Sequence, residues 1–315
     1  MPLSSPSRGP LVAIVGPTAA GKTALALDLS HHLDLEVVSA DSRQIYRYMD
    51  IGTAKPSASE MRLVPHHLVD VVGPDETLTL AQYQELAYRV IDDVLARGRL
   101  PLLVGGTGLY VWSVLENWQI PRVSPQPDLR RRLEEEAARH GPEYLHRRLA
   151  DVDPTAAAGI HPNNLRRIIR ALEVFQQTGV PISRLQDRGE PRYRYQVLGV
   201  TAPRRELYRR ADQRVDAMIE RGLVEETRRL LEAGYSPQLP AMSGLGYRQV
   251  AEYLAGQYDL SEAIRRIKTC THRFIRQQHT WFRLDDPRIC WFEQPLDPQE
   301  VLSVVRLFLE DRGQY

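Results

Sequence analysis

Leu11-Val12-Ala13-Ile14-Val15-Gly16-Pro17-Thr18-Ala19-Ala20-Gly21-Lys22-Thr23 is the stretch from which the fold can be read. Five consecutive apolar residues predict a strand buried on both faces of a parallel sheet. They run without a spacer into Gly16-x-x-x-x-Gly21-Lys22-Thr23, and a helical pattern follows over 24–33. Strand, phosphate loop and helix together predict an α/β protein with a P-loop NTPase-like parallel sheet flanked by helices. The glycines let successive backbone N–H groups turn toward one anion, where the helix dipole also favours negative charge. Gly16, Pro17, Thr18, Ala19, Ala20, Gly21, Lys22 and Thr23 are thus the expected cradle of a diphosphate or polyphosphate. Lys22 is placed to reach the outer phosphate, and the Thr23 hydroxyl to ligate the Mg2+ that accompanies it.

Outward from this loop, 35–40 reads as a second strand ending at Asp41. A carboxylate at that end of a strand lies in the crevice where open α/β sheets bind ligands. It could hold magnesium through water, or act as a general base for a nucleophile approaching the phosphate-bearing substrate. Residues 41–56 form a polar stretch with no sustained period, the kind of loop that carries function. A strand is expected over 66–72 and a helix over 79–97, closed by Gly98. His66 and His67 have no carboxylate or cysteine at ligand spacing and read as structural. The apolar run 100–104 empties into Gly105-Gly106-Thr107-Gly108, with no acid where an ordinary ATPase carries one. Thr107 there reads as a hydroxyl facing the same crevice, or as the N-cap of the next helix, a role that does not exclude contact with substrate.

Beyond residue 120 the texture changes. Pro121, Pro125 and Pro127 form a stiff hinge, and helical patterns follow over 128–140, 142–150 and 163–177. Residues 118–195 read as a helical insertion domain within a core built from 1–117 and 196–315. A strand at 195–200 restores the α/β pattern. Helices are expected over 203–221, 224–233 and 261–284, then a strand at 289–292 and a terminal amphipathic helix.

The chain has 315 residues, 43% of them hydrophobic, enough for one large α/β domain and a smaller one. No apolar run approaches membrane-spanning length, and 1–10 is short and Ser/Pro-rich without the core of a signal peptide. A cytoplasmic protein with no membrane association is expected. Cys270 and Cys290 have no metal spacing and form no disulfide framework. No heptad or exposed stripe demands a partner copy, so a monomer is expected. The net charge of +1 conceals an asymmetry: of the 41 basic residues, only Lys22, Lys55 and Lys268 are lysine. Arginine clusters at 130–132, 166–170, 204–214 and 265–276 lie on helical patterns that could track a polyanion, although interleaved acids such as Glu134, Glu135 and Glu136 equally describe salt-bridged helix faces.

Seven ordered stretches resemble the bacterial tRNA dimethylallyltransferases, also called tRNA isopentenyltransferases: GPTAAGKT at 16–23, DSRQIYRYMDIGTAKP at 41–56, HHLVDVV at 66–72, GGTGLY at 105–110, HPNNLRRIIRALEVF at 161–175, GLGYRQ at 244–249 and TWFR at 280–283. The resemblance implies transfer of the prenyl group of dimethylallyl diphosphate to the exocyclic amine (N6) of the adenine just 3′ of the anticodon, with release of diphosphate. The phosphate loop would then cradle an isoprenoid diphosphate rather than ATP. No phosphoryl group moves, which accounts for the missing acid; what is needed is stabilisation of the leaving group. An adenine amine is a poor nucleophile until a proton is removed, and Asp41 is placed to take it. The resemblance points to Lys22, Arg214 and Thr107 beside Asp41 as catalytic, with Mg2+ on Thr23. It also implies a wall facing tRNA made of Asp41, Ser42, Arg43, Gln44, Thr107, Arg130, Leu165, Arg166, Arg167, Ile168 and Ile169, with Gly246 and Arg248 near the core. The insertion would grip the anticodon stem-loop, from which the target base must be splayed out.

Two departures stand out. Ala20 replaces a common Ser at small cost, because the loop works through backbone amides. Gln277 takes a position that is commonly Arg, and its helix is therefore not expected to contribute to catalysis. The nearest alternative is a prenyltransferase acting on free adenine nucleotides, which would need no helical clamp. A small-molecule kinase and a non-enzymatic RNA-binding module are more distant: no lid-type arginine pair supports the first, and the intact phosphate loop opposes the second.

Overall fold

The computed structural model describes residues 8–121, 123–185 and 188–311. Residues 1–7 of the Ser/Pro-rich segment 1–10, read above as lacking the core of a signal peptide, lie outside them. In chain order the elements are β1 (Pro10–Val15), α1 (Lys22–Ser30), β2 (Leu35–Ser39), α2 (Ala58–Leu63), β3 (His66–His67), α3 (Leu80–Ala96), β4 (Leu100–Val104) and α4 (Gly108–Leu115). There follow α5 (Pro127–His140), α6 (Pro142–Val152), α7 (Pro154–Gly159), α8 (Leu165–Thr178) and α9 (Ile182–Leu185). The chain closes with β5 (Arg194–Thr201), α10 (Arg204–Glu220), α11 (Leu223–Glu232), α12 (Tyr247–Leu254), α13 (Leu260–Trp281), β6 (Ile289–Glu293) and α14 (Pro298–Glu310).

Two compact units result, one from Met1–Leu115 with Arg192–Tyr315, the other Glu116–Pro191. The first is built on a six-stranded sheet of order β3-β2-β4-β1-β5-β6, with every pairing parallel. β1 is central because its five apolar residues have no solvent exposure and must be covered on both faces. One layer of this core joins Leu25 and Leu29 of α1 to Leu207 of α10, Ile275 of α13 and Val301 of α14. Helix starts follow side-chain caps: Thr79 and Gln82 form a capping box at α3, and Asp259 accepts from the Glu262 amide at α13.

The second unit packs five helices around Leu133, Leu145, Leu149, Ile168 and Leu172. Glu173 lies at its centre without exposure, accepting from the Gln126 amide and from Arg130 and Arg170. α8 ends at Gly179, whose φ of 68° is a left-handed C-cap. Among the described residues, no helix is long and apolar enough to cross a membrane.

Two expectations need correction. The strand predicted over 66–72 is only two residues long, because Leu68 and Asp70 take left-handed φ of 61° and 58°. The Asp70 amide there bonds Gln44 O at 3.1 Å, and Val72 bonds Ile45 O at 3.0 Å, so the segment is tied to the 41–56 loop. Residues 192–195, assigned by sequence to the insertion, belong to the first unit, where Arg194 and Tyr195 already pair with Pro10 and Leu11.

β2 carries one acid in an otherwise apolar strand. Glu36 is 2% exposed, and its carboxylate meets His67 Nε2 at 2.6 Å, Arg97 at 2.7 Å and Arg99 at 2.9 Å. Burial by itself would raise the Glu36 pKa; the bonds from His67, Arg99 and Arg97 outweigh it and hold the group at about 2. Because the folded value lies below the unfolded one, this stabilisation is complete above about pH 4.5 and is lost as pH falls toward 2. Glu36→Gln is expected to lower unfolding free energy by about 2–4 kcal/mol at pH 7 and much less at pH 2. Urea denaturation at the two pH values checks this; an equal loss at both would remove the assignment.

Candidate active site

The site is assembled where strands β1, β2, β4 and β5 end. Backbones cross there too closely for side chains. Gly16 has φ 140°, and a Cβ on it would lie 2.1 Å from Val200 O; a Cβ on Gly105 would lie 2.1 Å from Ala40 O. The phosphate loop leaves β1 at Gly16, passes Ala19 at φ 64° and enters α1 through Gly21 at φ 100°. The α1 first turn contains no acid, so the helix N-terminus keeps its positive end.

Lys22 Nζ is folded back onto its own loop, donating to Gly16 O at 3.0 Å and Pro17 O at 2.8 Å. Burial, then the positive charge of Arg214, lower its pKa to about 8, with the Asp41 carboxylate acting in the opposite direction. Arg214 reaches the loop from α10, donating to Thr18 Oγ1 at 3.4 Å. Lys22, Asp41 and Arg214 therefore share one electrostatic neighbourhood, although Arg214 comes from far later in the chain. Thr23 is exposed at the start of α1.

Asp41 follows β2. Its Oδ1 accepts from the Arg43 amide at 2.8 Å and the Gln44 amide at 3.4 Å, which fixes the carboxylate against its own loop. Thr107 joins this loop to the β4 exit: its amide donates to Ala40 O at 3.2 Å and its Oγ1 accepts from the Ser42 amide at 3.0 Å. Its carbonyl accepts from the Tyr110 and Val111 amides at 2.9 and 3.1 Å, so Thr107 stands at the N-cap position of α4 while its hydroxyl is bonded to the Asp41 loop. Arg43 donates to Pro240 O at 2.8 Å, and Gln44 to Thr53 O and Ala54 O.

Two positioning residues escaped sequence reading. Gln278 on α13, one residue beyond the Gln277 that led us to set this helix aside, is 3% exposed. Its Oε1 accepts from the Thr18 amide at 2.8 Å and its Nε2 donates to Gly106 O at 3.1 Å, so one side chain fixes both glycine loops. Glu226 on α11 accepts from the amides of Asp50, Ile51 and Gly52 at 3.0 to 3.3 Å and from Tyr247 Oη at 2.5 Å. The only sequence signal for either was a polar residue at an inward position of an amphipathic helix.

The expected RNA-facing residues divide. Arg166 and Arg167 are exposed on α8. Ile168 and Ile169 are 0% and 4% exposed in the core of the helical unit, with Leu165 packed against it, so these apolar side chains hold the unit together and are not presented to RNA. Arg130 is bound to Glu173 at 2.8 Å and half-exposed. Gly246, at φ 93°, opens α12, while Arg248 is exposed and pairs with Glu252 at 2.9 Å one turn on. The structural reading of the histidines holds: His67 meets Glu36, and His66 Nδ1 lies 2.7 Å from Val64 O.

The family model described as IPP transferase matches residues 44–285. The tRNA dimethylallyltransferase of Roseiflexus castenholzii is 57% identical over 274 residues, covering 87% of this chain and 90% of that protein. That of Dehalococcoides mccartyi is 47% identical over 312 residues, covering 98% and 96%. Among solved structures, the full-length tRNA isopentenylpyrophosphate transferase from Bacillus halodurans is 41% identical, with a TM-score of 0.72 over 97% of this chain and 98% of that one. A eukaryotic dimethylallyltransferase acting on tRNA is 25% identical, with a TM-score of 0.83 over 97% of this chain and 80% of that one. With a matched segment spanning most of its length and relatives this similar over nearly all of it, the chain belongs to the IPP transferase family.

Proposed function

We propose that this chain transfers a dimethylallyl group from dimethylallyl diphosphate to N6 of the adenine 3′-adjacent to the anticodon in tRNA, releasing diphosphate. The observation that carries this reading is the meeting of the phosphate loop with Asp41 and Thr107 at one sheet edge, beside Lys22 and Arg214. The amine nitrogen forms a bond to the allylic carbon as the carbon–oxygen bond to diphosphate breaks, and the electron pair leaves with that oxygen. Asp41 takes the amine proton. Both backbone bonds fall on its Oδ1, which leaves Oδ2 for that task. Loop amides, Lys22 and Arg214 balance the charge developing on the leaving group, and Thr107 ties the Asp41 loop to the β4 exit.

Mg2+ fits this arrangement as a substrate-borne ion. No group of three or more His, Cys, Asp and Glu side chains that could hold a cation gathers among the described residues, whereas the Thr23 hydroxyl is an exposed oxygen at the loop. A magnesium ion takes few protein ligands and keeps water and phosphate oxygens. Once bound, it would supply positive charge to the departing diphosphate. The exposed Arg166 and Arg167 of the helical unit supply salt-sensitive contacts to the anticodon stem-loop backbone.

The deciding experiment offers labelled dimethylallyl diphosphate with unmodified tRNA, with adenosine monophosphate, and with ATP as a competing donor. Label in tRNA alone is expected; label in the free nucleotide, or ATP consumption without prenyl transfer, would replace the reading. Asp41→Ala is expected to lower kcat at least a hundredfold while leaving donor affinity within about threefold, and an equal loss of both would remove the base assignment. Lys22 is charged below about pH 8 in the free protein, so calorimetric donor affinity should weaken as pH rises through that value. Lys22→Met should abolish this dependence.

A further inference from the structure

We infer that Tyr48 is a stacking platform for an unpaired nucleobase of the RNA substrate, an inference that rests on the RNA-modifying function proposed above. Tyr48 is 61% exposed in the 41–56 loop, between Tyr46 at 6% and Met49 at 1%. Its backbone is left-handed, with φ 66°. A glycine would adopt that conformation freely; a bulky aromatic residue does so only against strain. Strain of this kind at an exposed position points to a function outside folding.

The loop under Tyr48 is held firmly. The Arg47 amide donates to Val72 O at 2.9 Å, and its guanidinium donates to Asp70 O at 3.2 Å and Val71 O at 2.9 Å. Lys55 Nζ donates to Tyr46 O at 2.7 Å and pairs with Asp50 and Asp70 at 2.6 and 2.5 Å. The ring is thus carried on a rigid stalk and loses little freedom on binding. It is also close to the chemistry. The Arg43 amide is bonded to Asp41, and the Tyr46 amide to Arg43 O at 3.3 Å. Successive spans of this kind keep the Tyr48 backbone within about 20 Å of Asp41, a distance that a few nucleotides of single strand cross.

An exposed aromatic face beside an arginine suits a base whose neighbours are splayed out, because every base has a π-face and the flanking phosphates are anionic. A nucleotide next to the target adenine, unstacked when that base is withdrawn from the anticodon loop, is the occupant this placement selects.

Tyr48→Gly and Tyr48→Phe, assayed as full-length enzyme for prenyl transfer to tRNA, test the inference. Tyr48→Gly is expected to raise Tm by about 2 °C by relieving the backbone. It should raise KM for tRNA about tenfold, with kcat at saturating tRNA unchanged. Tyr48→Phe should retain the wild-type KM. An unchanged KM in Tyr48→Gly, or an equal rise in Tyr48→Phe, overturns the stacking role while leaving the proposed function in place. Failure of the wild-type enzyme to prenylate tRNA overturns the function and the inference together.

Discussion

The close crossing of backbones at the carboxyl edge of the sheet is the constraint from which the site follows. Val200 O lies only 2.1 Å from where a Cβ on Gly16 would be, and Ala40 O equally close to a Cβ on Gly105. With no side chains between them, the exits of β1, β2, β4 and β5 lie within hydrogen-bonding reach of one another. Asp41 is the residue after Ala40, and Thr107 is two residues after Gly105, so a carboxylate and a hydroxyl arrive beside the phosphate loop as a consequence of how tightly the strands end. A larger residue at Gly16 would press on Val200 within β5, and one at Gly105 on Ala40 just beyond β2.

Buried carboxylates organise what the crossings leave free. Glu226 gathers three successive amides of the 50–52 segment, Glu173 gathers Arg130 and Arg170 in the helical unit, and Glu36 gathers His67, Arg97 and Arg99 at the sheet. In each case an acid inside an apolar pattern is matched by donors from elsewhere in the chain, as its desolvation requires. Much of the arginine excess is thereby accounted for without RNA: Arg97, Arg99, Arg130 and Arg170 complete internal networks, and Arg209, Arg265 and Arg283 pair with acids a turn or less away.

What was legible in the sequence was local. The β1 strand, phosphate loop and α1 could be read because continuous apolar residues, glycine freedom and helical period are properties of neighbours along the chain. Asp41 and Thr107 could be placed because each lies at the end of such a strand. The missed features depend on partners far away in sequence. The segment 66–72 has the composition of a strand, yet hydrogen bonds to Gln44 and Ile45 turn it after two residues. Ile168 and Ile169, within a motif resembling that of an RNA-binding helix, lie on the inward face of α8, a distinction that needs the packing of α5 and α6. Gln278 gave no signal beyond a polar residue on an inward helix face, because its two partners, Thr18 and Gly106, are 260 and 172 residues away.

That separation has a consequence for the order in which the enzyme comes into being. During synthesis the phosphate loop, the Asp41 loop, the Gly105-Gly106 turn and the whole helical unit leave the ribosome before Gln278 does. Until then nothing ties the Thr18 amide to the Gly106 carbonyl, and the two glycine loops lack their common brace. Arg214 precedes the brace, and β6 and α14 follow it. The nascent protein therefore passes through a period in which its phosphate loop is present in sequence but mechanically unbraced, and the two glycine loops are joined only once α13 has been made and packed against the sheet.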